Sequence, residues 1–189
     1  FSVRPKTGKY SINTNLLGVT ASGSEIDEWK APDDETWTLC AHPSSWPKTP
    51  MRATITFDRG RAVALDGTSM EGPALLRELN ARFGAYGVGR GIYTGDTTIG
   101  LKGRIVFECP GLNALFVAHR ALEESVLSAS QNQMKPVVAK KWVELVYKGF
   151  FYDPLKTDLE AFLVSTQEFV TGDVVLETFG GQSLPIEVK

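Results

Sequence analysis

The stretch Ala53-Thr54-Ile55-Thr56-Phe57-Asp58-Arg59-Gly60-Arg61-Ala62-Val63-Ala64-Leu65 decides the fold class. β-branched and aromatic residues alternate up to Phe57, Arg59-Gly60-Arg61 reads as a turn, and Ala62–Leu65 pairs back, closed by Asp66-Gly67. That is a β-hairpin. Downstream, Pro73 opens a helix with Leu75, Leu76, Leu79 and Phe83 on one face and Gly84 past its end. Strand character returns over 91–107, where Ile92 and Tyr93 precede a Gly95-Asp96 turn, and Ile99, Leu101, Ile105 and Phe107 follow at mostly even spacing. A helix after Pro110-Gly111 places Leu115, Phe116, Leu122 and Val126 together. A second runs from about Pro136 to Gly149, and a third starts after Asp153-Pro154. Val174-Val175-Leu176 and Ile186–Val188 flank Gly180-Gly181 as a closing hairpin.

Hairpins, long helices and no βαβ alternation make the chain α+β. An antiparallel sheet built from hairpins packs with amphipathic helices. Upstream, residues 1–20 are polar and read as an extended arm or a short turn of helix, not a core element. Residues 21–50 hold Pro32, Pro43, Pro47 and Pro50 with Trp29, Trp37 and Trp46. Prolines at that density forbid a long helix or central strand, and the tryptophans hold the loop on a surface. The domain expectation is a core over 1–153 and a helix-plus-hairpin module over 154–189. A lone two-stranded hairpin is marginal, so the module is expected to dock on another subunit.

With 189 residues, the chain is long enough for one domain and a core that needs no staples. Twenty Lys+Arg against twenty-two Asp+Glu argue against a nucleic-acid binder. No apolar run is long enough to span a membrane, and residues 1–12 lack the apolar core of a signal peptide. Cys40 and Cys109 are too few for a disulfide framework, which points to the cytoplasm. The chain starts at Phe1, not Met, and is expected to be a piece of something longer.

Chemistry-bearing motifs are sparse. Gly87-x-Gly89-x-Gly91 follows a helix and enters a strand, the wrong setting for a phosphate loop, so it reads as a tight turn. Cys40 and His42 lack the second ligand pair that zinc needs, and read as a loop cysteine and a surface histidine. A Ser–His–Asp arrangement has no nucleophile-elbow sequence to support it. Glu123-Glu124 and Lys140-Lys141 read as solvated helix faces. The residues alone stop at an oligomeric α+β fragment.

Several stretches together resemble the C-terminal domain of the argininosuccinate synthase family. Tyr10-Ser11-Ile12-Asn13-Thr14-Asn15-Leu16 is similar to the family's Y-S-I-D-E-N-L. Ala31-Pro32-Asp33-Asp34-Glu35-Thr36-Trp37 looks like its proline-and-acid run. Phe57-x-x-Gly60-x-x-Val63-Ala64-Leu65-x-Gly67 looks like its strand–turn–strand. Glu78-Leu79-Asn80 leading to Gly87-Val88-Gly89-Arg90 is similar to E-L-N…G-V-G-R. Lys102-x-Arg104 and Glu108-x-Pro110-Gly111 look like K-S-R…Y-E-x-P-G. Ala118-His119-Arg120-x-Leu122-Glu123, Glu144-Leu145-Val146-Tyr147-x-Gly149 and Thr166-Gln167-Glu168-x-Val170-Thr171-Gly172 follow in order.

The resemblance implies an AMP-forming ligase that condenses citrulline with aspartate. ATP, with Mg, would adenylate the ureido oxygen, and the aspartate amine would displace AMP. The family's S-G-G-L-D-T nucleotide loop lies in an N-terminal domain outside this sequence. The fragment is therefore expected to bind no ATP and turn over nothing alone, and to assemble as a homotetramer. The family's pocket contacts from this half are two serines, a glutamate and a tyrosine. They fall on Ser11, Thr20, Gly95 (with Asp96 beside it) and Phe107. Two of the four lose their polar function, and Gly91–Thr98 departs most from the family pattern. Either Asp96 takes the glutamate's role, or the chain is a paralogue with another amide, urea or carboxylate substrate or an oligomerising role only. Because a one-place slip in a strand turns a side chain away, the expectation leans to a substrate other than citrulline.

Overall fold

The computed structural model describes residues 8–96 and 100–189, so the expectations for residues 1–7, Thr98 and Ile99 lie outside the described residues. In chain order the elements begin with β1 (Ser11–Asn15), β2 (Gly18–Ser22), β3 (Met51–Asp58), β4 (Arg61–Leu65), β5 (Thr68–Ser69) and α1 (Gly72–Gly84). They continue with β6 (Arg90–Asp96), β7 (Lys102–Glu108), α2 (Pro110–Val126), α3 (Ala129–Tyr147), α4 (Pro154–Ser165), β8 (Gly172–Phe179) and β9 (Gln182–Val188). The α+β class is as read. The chain forms two compact units, the first holding residues 8–50, 76–114 and 178–182 among those described, the second 51–75, 115–177 and 183–189.

The first unit contains a four-stranded sheet in the order β1-β2-β7-β6, with antiparallel pairing throughout. The β1–β2 hairpin, residues 11–22, takes up most of the 1–20 stretch expected as an arm and the first two residues of the expected loop. Asn15 Oδ1 accepts the Leu17 N–H at 2.8 Å and so closes the turn. A β-carbon on Gly18 would overlap the carbonyl oxygen of Glu108, so only glycine lets β2 approach β7 there. Val19 and Ala21 are buried, the latter in a cluster with Ile26 and Val106 on which Tyr10 and Trp37 pack. Beyond β2, residues 23–50 are irregular, broken by three short 3-10 turns, as the prolines require. The expected Gly95-Asp96 turn is instead strand: Gly95 pairs with Gly103 and Asp96 with Lys102. Leu101, expected in the strand pattern, precedes β7 and is exposed.

In the second unit the sheet order is β5-β4-β3-β8-β9, with Ile55, Phe57, Leu65, Val174 and Leu176 buried. The closing hairpin is therefore not a lone pair of strands, because β8 hydrogen-bonds to β3. In α2 the core side chains are Ala114, Ala118 and Leu122, with Glu123 buried beside them, and Phe116 is 66% exposed, off the expected face. The helix expected from Pro136 begins seven residues earlier. Ser128 and Gln131 form a reciprocal capping box, and Pro136 lies inside the helix. α4 starts as read, with Asp153 capping the Leu155 N–H and Pro154 in the first turn.

Candidate functional site

Alternation along the paired strands sorts the first sheet into two faces. One face buries Val19, Ala21, Val106 and Glu108. The other carries a row of direct neighbours, Asn13–Thr20–Phe107–Gly91, set by the pairings of β1, β2, β7 and β6. Ser11 stands two residues along β1 from Asn13, on this same open face, and Gly95 four residues along β6 from Gly91. Four residues of strand are about 13 Å. Four of the five expected site residues thus share a face, while Asp96 projects from the opposite one and pairs with Lys102 at 2.7 Å.

Thr20 and Phe107 line a shallow depression of about 250 Å³ together with Asn13, Asn15 and Leu17. Ser11 and Gly95 lie outside it. The β1–β2 half of the face offers hydroxyls and amides, and the β7–β6 half offers rings over glycine. A β-carbon on Gly91 would come within 2.7 Å of the Phe107 ring, so the ring lies across the glycine backbone. Asn13, Asn15 and Tyr93 were not singled out from sequence. The signal that finds them is the β1–β2 and β6–β7 pairing itself, which a reading of 1–20 as an arm hides.

Behind the face, Glu108 is 1% exposed and holds the loop over Trp37–Ala41. Its Oε2 accepts the N–H groups of Thr38 at 2.8 Å and Leu39 at 3.0 Å, and its Oε1 that of Cys40 at 2.8 Å. Arg90, its register partner, donates to the carbonyls of Cys40 and Ala41 and stacks 4.7 Å from the Trp37 ring centroid. Donors of the loop go to the carboxylate and acceptors to the guanidinium. The two charged side chains therefore fix the loop as one piece.

Cys40 is buried and donates to the Val88 carbonyl at 3.2 Å. Burial and then the Glu108 charge push its thiol up to about 12, with Arg90 pulling the other way. Burial also raises the Cys109 thiol. Neither is thiolate near neutral pH, so both should react slowly with iodoacetamide at pH 8, and fully in guanidinium. Mass spectrometry that found Cys40 alkylated within minutes in the native chain would contradict this placement. His42 is exposed and caps the 3-10 turn at Pro43–Ser45. Among the described residues no three His, Cys, Asp or Glu side chains gather as a metal site would need.

The second unit has larger grooves, of about 610 and 720 Å³. The first is lined by charges that neutralise one another: Arg120 pairs with Glu124 at 2.7 Å, and Lys135 with Glu123. Glu123 also accepts from Gln167 Nε2 at 2.7 Å, and His119 Nε2 lies 2.8 Å from Gln167 Oε1. Glu123 is thus largely buried, not solvated as read from sequence. This network is internally satisfied and ties α2 to α3 and to the segment after α4. The sheet face, whose Ser11 and Thr20 hydroxyls have no hydrogen-bond partner among the described residues and which carries a ring-lined depression, is the better candidate for a ligand.

A family profile described as "Arginosuccinate synthase C-terminal domain" matches residues 10–187. The chain is 58% identical over all 189 residues to the argininosuccinate synthases of Xylella fastidiosa and Xanthomonas campestris, and covers 47% and 48% of those proteins. To the argininosuccinate synthase of Moorella thermoacetica it is 39% identical over 185 residues. The chain spans about half the length of these relatives, and corresponds to their C-terminal part. The stretches Tyr10–Leu16, Gly87–Arg90 and Thr166–Gly172 fall within the match, and the chain belongs to the argininosuccinate synthase family as its C-terminal domain.

Proposed function

We propose that this chain supplies the amino-acid-binding half of an argininosuccinate synthase. In the reaction the ureido oxygen of citrulline attacks the α-phosphorus of ATP and pyrophosphate leaves; the amine of aspartate then attacks the activated carbon and AMP leaves. No protein nucleophile is required, which accords with a site built of hydroxyls, amides and rings. ATP with Mg would bind in the N-terminal half of the full-length protein. Ser11, Thr20 and Phe107 would hold citrulline, and the protein would work as a cytoplasmic homotetramer. The exposed Tyr147, Phe150, Phe151 and Tyr152 at the α3–α4 junction support assembly through the C-terminal third.

The observation that carries the reading is the whole-chain match to argininosuccinate synthases with Ser11, Thr20 and Phe107 on one face. Gly95 and Phe107 favour a second reading, a paralogue with another acceptor. Neither side chain can form a hydrogen bond, and Asp96 faces away. Product analysis decides between them. The full-length protein given citrulline, aspartate and ATP should form argininosuccinate, AMP and pyrophosphate, whereas the 189-residue chain alone should form none. AMP released without argininosuccinate, and only with another acceptor, would establish the paralogue.

A further inference from the structure

We infer that Tyr93 is a specificity-determining residue of the open sheet face, its phenol hydroxyl donating to an oxygen of the bound acceptor amino acid. The inference rests on the proposed ligase reading and adds a residue to it. Three observations place the hydroxyl. By register Tyr93 lies beside Ile105 on edge strand β6, so it shares the open face with Phe107, Thr20 and Ser11. Its ring runs along its own strand toward Gly95. A β-carbon at Gly95 would overlap Tyr93 Oη and fall 2.7 Å from Cζ. And Tyr93 is 52% exposed, with no hydrogen-bond partner for its hydroxyl among the described residues.

The first two observations make positions 93 and 95 mutually exclusive. Any side chain at residue 95 would begin where the phenol ends, so this ring position requires glycine there. Phe107, the other ring of the face, has no polar atom. The hydroxyl of Tyr93 is thus the group that the β6–β7 half of the face can offer to a polar ligand. A phenol both donates and accepts, whereas a carboxylate only accepts. A face with a phenol at this end therefore suits a ligand that presents a carboxylate or carbonyl oxygen to β6. A carboxylate would instead favour an ammonium there.

Tyr93→Phe in the full-length protein is the test, with citrulline as the probe. The substitution removes one oxygen from an exposed ring, so the melting temperature should be unchanged. Loss of a hydrogen bond to a charged oxygen should raise KM for citrulline about ten- to a hundredfold. The kcat and the KM for ATP should stay within about twofold of wild type, since the group binds substrate without touching the reacting phosphorus. If wild type forms argininosuccinate and the variant's KM for citrulline is within about twofold of it, the inference fails and the ligase reading stands. If wild type forms no argininosuccinate from citrulline, both fail together.

Discussion

Glu108→Ala should cost the folded chain about 3 kcal/mol, the largest stability loss expected from any polar substitution in the first unit. The alanine removes the acceptor for the N–H groups of Thr38, Leu39 and Cys40 at once. A buried donor left unpaired costs about 1–3 kcal/mol, and the two outer N–H groups, nearer the surface, would recover part of theirs from water. The carbonyls of Cys40 and Ala41 would keep Arg90, so the loop would loosen on one side only. Glu108→Gln retains one acceptor oxygen but turns an amide N–H₂ toward backbone donors, and should cost about 1–2 kcal/mol. Urea unfolding followed by circular dichroism measures both. Equal stability of Glu108→Ala and wild type would mean that the carboxylate does not organise the loop.

Thr20→Trp should lower kcat/KM for citrulline at least about a hundredfold in the full-length protein, a loss of roughly 2.7 kcal/mol of transition-state binding. Thr20 is flanked by Asn13 and Phe107, and an indole there would fill the 250 Å³ depression. Thr20 is half-buried at the open face, so the larger side chain can rise toward solvent without entering the core. Asp96→Ala, one residue beyond Gly95 but on the other face, removes only the exposed pair with Lys102. Such pairs contribute about 0–1 kcal/mol, so activity should stay within about twofold. The contrast matters more than either number. A severe loss in Asp96→Ala with a silent Thr20→Trp would invert the assignment of faces.

How far the sequence could be read depended on whether one face of each element was apolar. The β3–β4 hairpin was legible because Ala53, Ile55 and Phe57 alternate with polar residues, and these three are buried. The β1–β2 hairpin was not, since only Val19 and Ala21 of its ten strand residues reach the core. Its turn is made by the Asn15 side chain, not by a Gly-rich pair. Gly95-Asp96 has turn composition, yet pairing with Gly103 and Lys102 overrode local preference. The start of α3 lies seven residues before Pro136, a residue that favours a first turn, because the Ser128 and Gln131 capping box nucleates the helix upstream and the helix accommodates the proline in its interior. The partner of β8 lies far upstream, in β3, and strand composition carries no record of that pairing.

The same limits applied to the site. The positions Ser11, Thr20, Gly95 and Phe107 came from family resemblance, and only strand register could show that they share a face. Register also separates Gly95 from Asp96, which no composition argument can do. Tyr93 had no motif to mark it; its place depends on the empty backbone of Gly95.

Hydrogen–deuterium exchange of the full-length protein with saturating citrulline and ATP tests the central claim most directly. The account predicts slowed exchange in peptides covering Ser11–Ser22 and Lys102–Glu108, with the α3–α4 segment unchanged. Protection confined to α2, α3 and the Thr166–Gly172 segment, with the β1–β2 hairpin unaffected, would contradict it.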